Sequence, residues 1–141
     1  MSTPFKDIYD KFLSSIDDYE LAFFHDDDLS HLLQQYLSKA VYLDFKQCTK
    51  DLSEFDAEAE LFKVELSIEE QWIIATGMTL SWLEPKIKRE RLLRDAISDR
   101  DYRESSHALQ LRELMNLEST IRDKLHRYIV SYTHNNFDGL Y

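Results

Sequence analysis

The fold predicted for this chain is built around residues 67–83, which have the sequence SIEEQWIIATGMTLSWL. The first four residues have the form of a capping box, in which Ser67 and Glu70 satisfy each other's backbone amides at the start of a helix. The following residues are apolar on nearly every side of a helix, which predicts a central helix covered by neighbouring segments. Gly77 costs about 1 kcal/mol relative to alanine at that position, and its presence predicts the close approach of a second helix.

Helical periodicity predicts three further substantial helices around the central one. Apolar side chains recur at spacings of three and four over residues 4–16, residues 29–41 and residues 105–133, so each set lies on one helical face. Thr3 and the three aspartates at 26–28 are the predicted N-terminal caps of the first two helices. The last helix would be about 40 Å long. That length exceeds what the core of one small domain needs. We therefore expect either that part of its apolar stripe faces another subunit or that the helix folds back along the bundle.

Two segments depart from this helical pattern. Pro85 lacks a backbone donor and predicts that the central helix kinks or ends near Leu83, with helical spacing resuming over residues 86–97. Within residues 42–66, two alternating runs flank an acidic stretch, which predicts a short β-hairpin or an ordered loop. The predicted fold class is mainly α: a bundle of four to five helices with a long C-terminal helix and a short hairpin in this region.

Composition limits the classes of function. A chain of 141 residues forms one domain and buries about two-thirds of its unfolded surface without disulfides. Two glycines are too few for a phosphate-binding loop or a dinucleotide motif. The single cysteine, Cys48, excludes a disulfide scaffold and fits a reducing compartment. No apolar run approaches the roughly 20 residues that cross a bilayer, so we expect no membrane association.

Charge is distributed unevenly along the chain. Residues 1–70 contain 6 basic and 17 acidic residues, a net charge of −11, whereas residues 71–141 contain 11 and 10, a net charge of +1. An acidic chain lacks the basic surface that binds nucleic acid, so the expected partners are proteins. The exception is a basic segment with a net charge of +3 over residues 86–103. Its basic residues are Lys86, Lys88, Arg89, Arg91, Arg94, Arg100 and Arg103. This pattern is typical of a solvated helix, and the alternative is a surface for an acidic partner or a DNA backbone.

The C-terminal residues predict a docking tail. Residues 1–134 are expected to form a single helical domain, and residues 135–141 to leave the last helix. Phe137, Leu140 and Tyr141 are costly to expose to water, so we expect this tail to dock on its own domain or on a neighbour.

Three carboxylate–histidine pairs have helical spacing, but none predicts a catalytic or metal site. They are Asp28 with His31, Glu104 with His107, and Asp123 with His126. Glu104 and His107 have the Glu-x-x-His form of di-iron bundles, which need two such pairs and two further core glutamates. Ordinary capping and surface pairing therefore explain these residues better. No catalytic residue, cofactor or metal ligand is predicted.

The order of several motifs resembles the neck proteins of tailed bacteriophages, the family of head-to-tail connector or adaptor proteins. The opening residues 1–13, MSTPFKDIYDKFL, are similar to the N-terminus of that family. Residues 66–85 resemble its L-[ST]-x-E-E-x-x-I-L-A-x-x-M…W-L stretch, and residues 101–114 resemble the entry into its last helix. The likeness covers most of the chain except about residues 44–61.

The resemblance implies a structural, non-enzymatic virion protein of the neck region, made in the bacterial cytoplasm. Such a subunit forms a homo-oligomeric ring, expected to be a dodecamer, that binds the portal protein and the next neck or tail protein. Genomic DNA would pass through the ring without specific binding. The residues expected to bind partners are Phe137, Leu140, Tyr141, Lys86, Lys88, Arg89 and Arg91. The alternative is a small acidic regulatory or host-takeover protein that binds one bacterial target, and the least favoured reading is a metal-dependent enzyme built on Glu104 and His107.

Overall fold

The computed structural model describes residues 2–16, 21, 26–45, 50, 52, 54–104 and 106–137. In chain order the elements are β1 (Thr3–Pro4), α1 (Phe5–Ser14), α2 (Asp26–Leu43), β2 (Phe55–Asp56), β3 (Leu61–Phe62), α3 (Ile68–Ala96), α4 (Asp99–Glu104) and α5 (His107–Phe137). Four of the five helices in this part of the chain are substantial, and the last one is long. The predicted mainly helical fold class is confirmed.

Helix α3 is the central element, and its predicted capping box is present. Ser67 Oγ accepts a hydrogen bond from the amide of Glu70 at 3.2 Å, and Glu70 Oε1 accepts one from the amide of Ser67 at 2.8 Å. Of the two outcomes predicted at Pro85, a kink or an end near Leu83, the end is wrong, because α3 continues through Pro85 to Ala96. Leu83 and Ile87, on either side of the proline, are both buried. Their burial offsets the backbone hydrogen bond that Pro85 cannot donate.

Helices α3 and α5 run antiparallel along their lengths. Tyr132 of α5 contacts Glu70 near the start of α3, and His107 at the start of α5 contacts Glu90 toward the far end of α3. The predicted α5 stripe is confirmed, since Leu111 and Leu125 are buried with Tyr132. The helix begins two residues later than predicted and ends at Phe137, four residues beyond the predicted end, so residues 135–137 are helical.

Helix α2 crosses α3 at Gly77, as the glycine predicted. A Cβ atom at this position would lie 3.0 Å from the Cβ of Ala40 and 2.5 Å from Oδ2 of Asp44. The missing side chain therefore lets the two helix backbones approach closely.

Helix α1 packs on the same core through one face. Phe5, Ile8, Tyr9 and Phe12 are buried, as their spacing predicted. The prediction is wrong for Leu13, which is 37% exposed and lies at the edge of the stripe.

A small antiparallel sheet in the order β1-β3-β2 closes one side of the core. The predicted hairpin is confirmed for Leu61 and Phe62, which pair with residues 55–56. It is wrong for residues 42–45, because Tyr42 and Leu43 complete α2. Thr3 does not cap α1 but joins β1, and its Oγ1 donates to the carbonyl of Val64 and accepts from the amide of Leu66. Long-range pairing with β3 thus overrides the local capping signal.

The buried apolar side chains of the described residues form two clusters. The larger one fills the body between α1, α2, the sheet, the first half of α3 and the last half of α5. The smaller one comprises Leu83, Ile87, Tyr102 and Leu111. We call the part around it the arm: residues 83–96 of α3, helix α4 and residues 107–118 of α5. Trp82 and Ile121 pack against both clusters and join the arm to the body.

Candidate functional site

The predicted basic segment lies on the arm. Lys88, Arg89 and Arg91 are exposed on the second half of α3. Lys86 is half-buried, and its Nζ lies 5.0 Å from the centroid of the Trp82 ring, a cation–π contact. Leu92 follows these side chains with 62% of its surface exposed. The arm therefore presents basic side chains around an exposed apolar one.

Glu84, at the base of the arm, lies among cationic side chains. A hydrogen bond from Lys39 holds the pKa of Glu84 below its usual value against a smaller opposing effect of burial, and Lys88 and Arg122 lower it further by charge. Arg94 Nε lies 3.9 Å from Asp95 Oδ1. Glu84 and Asp95 therefore each lie beside at least one cationic side chain.

The β2–β3 hairpin has the opposite character. Glu54, Phe55, Asp56 and Glu58 are all exposed, and Phe55 exposes 53% of its surface. Asp56 Oδ1 accepts hydrogen bonds at 3.0 Å from the amides of Glu58 and Ala59, which holds the turn. Sequence reasoning noted the acidic stretch but missed its apolar centre. The alternation of acidic residues with Phe55 and Ala57 was the sequence signal that could have indicated an exposed apolar side chain there.

The buried carboxylate of Glu70 was also missed, except as a cap. Its Oε1 accepts hydrogen bonds from Lys50 Nζ and the Ser67 amide, both at 2.8 Å, and its Oε2 accepts one from the Tyr132 hydroxyl at 2.8 Å. Burial alone would raise the pKa of Glu70, but hydrogen bonds from Lys50, Ser67 and Tyr132 outweigh it and hold the pKa below its usual value. The carboxylate therefore joins α3, Lys50 and α5 in one buried junction.

The predicted docking tail lies largely outside the described residues. Helix α5 extends through Phe137, but the side chain of Phe137 and residues 138–141, including Leu140 and Tyr141, are not described. Cys48 also falls outside the described residues. Docking by Phe137, Leu140 and Tyr141 therefore stays a prediction.

His107, which the sequence pairs with Glu104, contacts a facing helix. His107 Nδ1 lies 3.0 Å from Glu90 Oε2 on the facing helix α3. The side chain of Glu104 is not described. Among the described side chains, no group of three or more histidine, cysteine, aspartate or glutamate residues could hold a metal ion.

The concave features of the body include a small pocket and a larger groove. A pocket of about 120 Å³ opens between α2 and the sheet, where Phe5, Leu37 and Phe55 line it. A shallower groove of about 600 Å³ lies between α1, α3 and α5, beside Trp72 and Tyr128. The hydroxyls of Ser14 and Ser15 at its rim donate to the carbonyl of Lys11 rather than to a base. This rim therefore lacks an activated nucleophile.

None of the helices in the described ranges has the length and apolar character to cross a membrane. Comparison of the chain with protein-family models, curated proteins and solved structures finds no match.

Proposed function

We propose that this chain is a head-to-tail connector, or adaptor, subunit of a tailed-bacteriophage neck. In this role it forms a ring, binds the portal protein on one side and passes the attachment to the next neck or tail protein. The proposal combines the family resemblance of the sequence motifs with one structural observation, the apolar surface of the arm.

The arm leaves as many large apolar side chains exposed as it buries in its own cluster. Its exposed members are Leu92 at 62%, Leu109 at 55%, Leu117 at 42% and Met115 at 41%. Single exposed apolar side chains are common on any protein surface. Four beside a cluster of only four buried side chains support the proposal that a neighbouring subunit covers part of the arm.

The charge of the chain is compatible with a DNA conduit. The net charge is −10, and the excess of acidic residues lies in the first half of the chain. Acidic side chains facing the channel would repel phosphates, so the genome would slide through without specific binding. The proposed location is accordingly the neck of the virion, after synthesis in the bacterial cytoplasm.

The test is the composition of the virion. Mass spectrometry of washed particles should find the chain in ring stoichiometry, and purified chain should bind isolated portal rings. Deletion of residues 137–141 should weaken portal binding if the tail docks there. A chain that is absent from particles, does not bind portal rings and is monomeric or dimeric would instead support the alternative, a small acidic regulatory protein with a bacterial target.

A further inference from the structure

We propose that copies of this chain associate head to tail, with the arm of one copy seated on the β2–β3 hairpin of the next. The contact centres on Leu92 of the arm and Phe55 of the hairpin. This inference deepens the proposed function, because it names the surfaces that would join the subunits of the ring, but it is tested on the isolated chain.

The arm patch is an apolar side chain with a cationic rim. Lys88 and Arg89 lie four and three residues before Leu92, so on a helix they are its surface neighbours. On the other side, Asp95 lies 3.9 Å from Arg94, which offsets its charge. The patch therefore combines 62% exposure of Leu92 with a net positive surround.

The hairpin patch, which comprises Phe55 and the acidic residues Glu54, Asp56 and Glu58, has the opposite charge. Phe55 is 53% exposed, and the three acidic residues of the same hairpin are also exposed, with Glu54 and Asp56 on the opposite face of the strand from Phe55. Its position is fixed because Phe55 pairs with Phe62 in the sheet. The hairpin thus combines an exposed aromatic side chain with an excess of acidic residues.

The patches lie too far apart to meet within one copy. Leu92 lies 24 residues beyond the start of α3, or about 36 Å along the helix. The hairpin instead adjoins the start of α3, since Thr3 of the sheet is hydrogen-bonded to Leu66 just before that helix. Contact between them therefore requires a second copy.

Charge also selects the mode of association. Two arm patches repel each other, and so do two hairpin patches, which disfavours a symmetric dimer. An arm and a hairpin attract, and such unlike surfaces generate a closed ring or an open filament, according to the rotation between subunits.

A charge-swap experiment tests this contact. Variant K88E/R89E makes the arm anionic, and variant E54K/E58K makes the hairpin cationic while leaving Asp56 to hold the turn. Each variant alone would bring like charges together, but an equimolar mixture would pair each altered patch with an opposite charge. Matched controls change the net charge equally at exposed positions of α1 and α5 outside the arm and the hairpin: K124E/R127E and D10K/D123K.

Sedimentation velocity at low ionic strength measures the association, with circular dichroism as the check of folding. We expect wild-type chain and both controls to self-associate, each swapped variant to associate at least tenfold more weakly, and the mixture to recover assembly. Variant L92S, which alters an exposed side chain, should weaken assembly without unfolding the chain.

Three results would overturn the inference: wild-type chain that stays monomeric at high concentration, swapped variants that assemble as well as their controls, or a mixture that fails to recover. None of these results removes the chain from the virion or from the portal. Failure of the arm–hairpin contact is therefore distinguishable from failure of the connector role, which the particle and portal experiments decide.

Discussion

Replacement of Glu70 by glutamine should destabilise the fold at neutral pH and have little effect in acid. The carboxylate is 1% exposed and accepts three hydrogen bonds at 2.8 Å, from Lys50, Ser67 and Tyr132. Glutamine keeps the shape of the side chain but offers one acceptor oxygen and no charge. The substitution therefore tests the charge of the junction rather than its packing.

The magnitude follows from the three contacts. A hydrogen bond to a charged group contributes about 1.5–3 kcal/mol, against about 0.5–1.5 kcal/mol between neutral groups. The side chain of Lys50 is 38% exposed, so its ion pair with Glu70 is partly screened by solvent. We expect Glu70→Gln to lower the free energy of unfolding by about 2 kcal/mol at pH 7. For a chain of this size, that corresponds to a melting temperature lower by roughly 6 °C.

The pH dependence has a definite sign. The folded pKa of Glu70 lies below its value in the unfolded chain, so its stabilisation is complete above the unfolded pKa of about 4.3. The stabilisation is lost as the pH falls through the lower folded pKa. The difference in unfolding free energy between wild type and Glu70→Gln should therefore shrink as the pH falls from 7 to 3, because wild-type Glu70 then also becomes neutral.

Urea unfolding at several pH values measures this difference, provided that the slope with denaturant stays constant. Glu69→Gln is the matched control, since Glu69 is half-buried in the same helical turn, and it should cost less than about 1 kcal/mol. A cost for Glu70→Gln that equals the control at pH 7, or that does not change between pH 7 and pH 3, would refute the role of the charged junction.

Three further substitutions test other features of the fold by thermal or urea unfolding. Gly77→Ala should destabilise by about 1 kcal/mol, because crowding against Ala40 and Asp44 outweighs the gain in helix propensity, and a stabilised variant would contradict this. Pro85→Ala should stabilise by about 1–2 kcal/mol through a restored helical hydrogen bond, whereas a loss would show that the ring of Pro85 is needed. Tyr9→Phe should be neutral or stabilising by up to about 1 kcal/mol, since the buried hydroxyl has no partner among the described residues; a cost above 1 kcal/mol would reveal one.

Local signals in the sequence predicted the helices well. The capping box at Ser67 depends on backbone amides within one helical turn, and it is present. The close approach of a second helix at Gly77 depends on the side chain that this residue lacks, and it is present too. Periodicity likewise placed the buried stripe of α5, including Leu125 and Tyr132. These features were predictable because each follows from residues a few positions apart.

Features that depend on distant residues were not predictable. Thr3 reads as a helix cap until Val64 and Leu66 are brought beside it, and Pro85 reads as a helix end until burial of its neighbours is counted. Glu70 was identified as a cap, but no pattern in the sequence indicates that the hydroxyl of Tyr132, 62 residues away, donates the third hydrogen bond to its carboxylate. The arm and hairpin surfaces likewise become visible only when exposure is known.

The link between Glu70 and Tyr132 constrains when the chain can reach its native state during synthesis. Helix α3 is synthesised before α5, so its apolar side facing α5 and its acidic junction stay open until residue 132 has emerged from the ribosome. Until then the nascent chain carries a carboxylate with one donor missing beside uncovered apolar surface. Closure of α5 is therefore the late event, and premature association of nascent chains through that open side is the hazard that this order of synthesis creates.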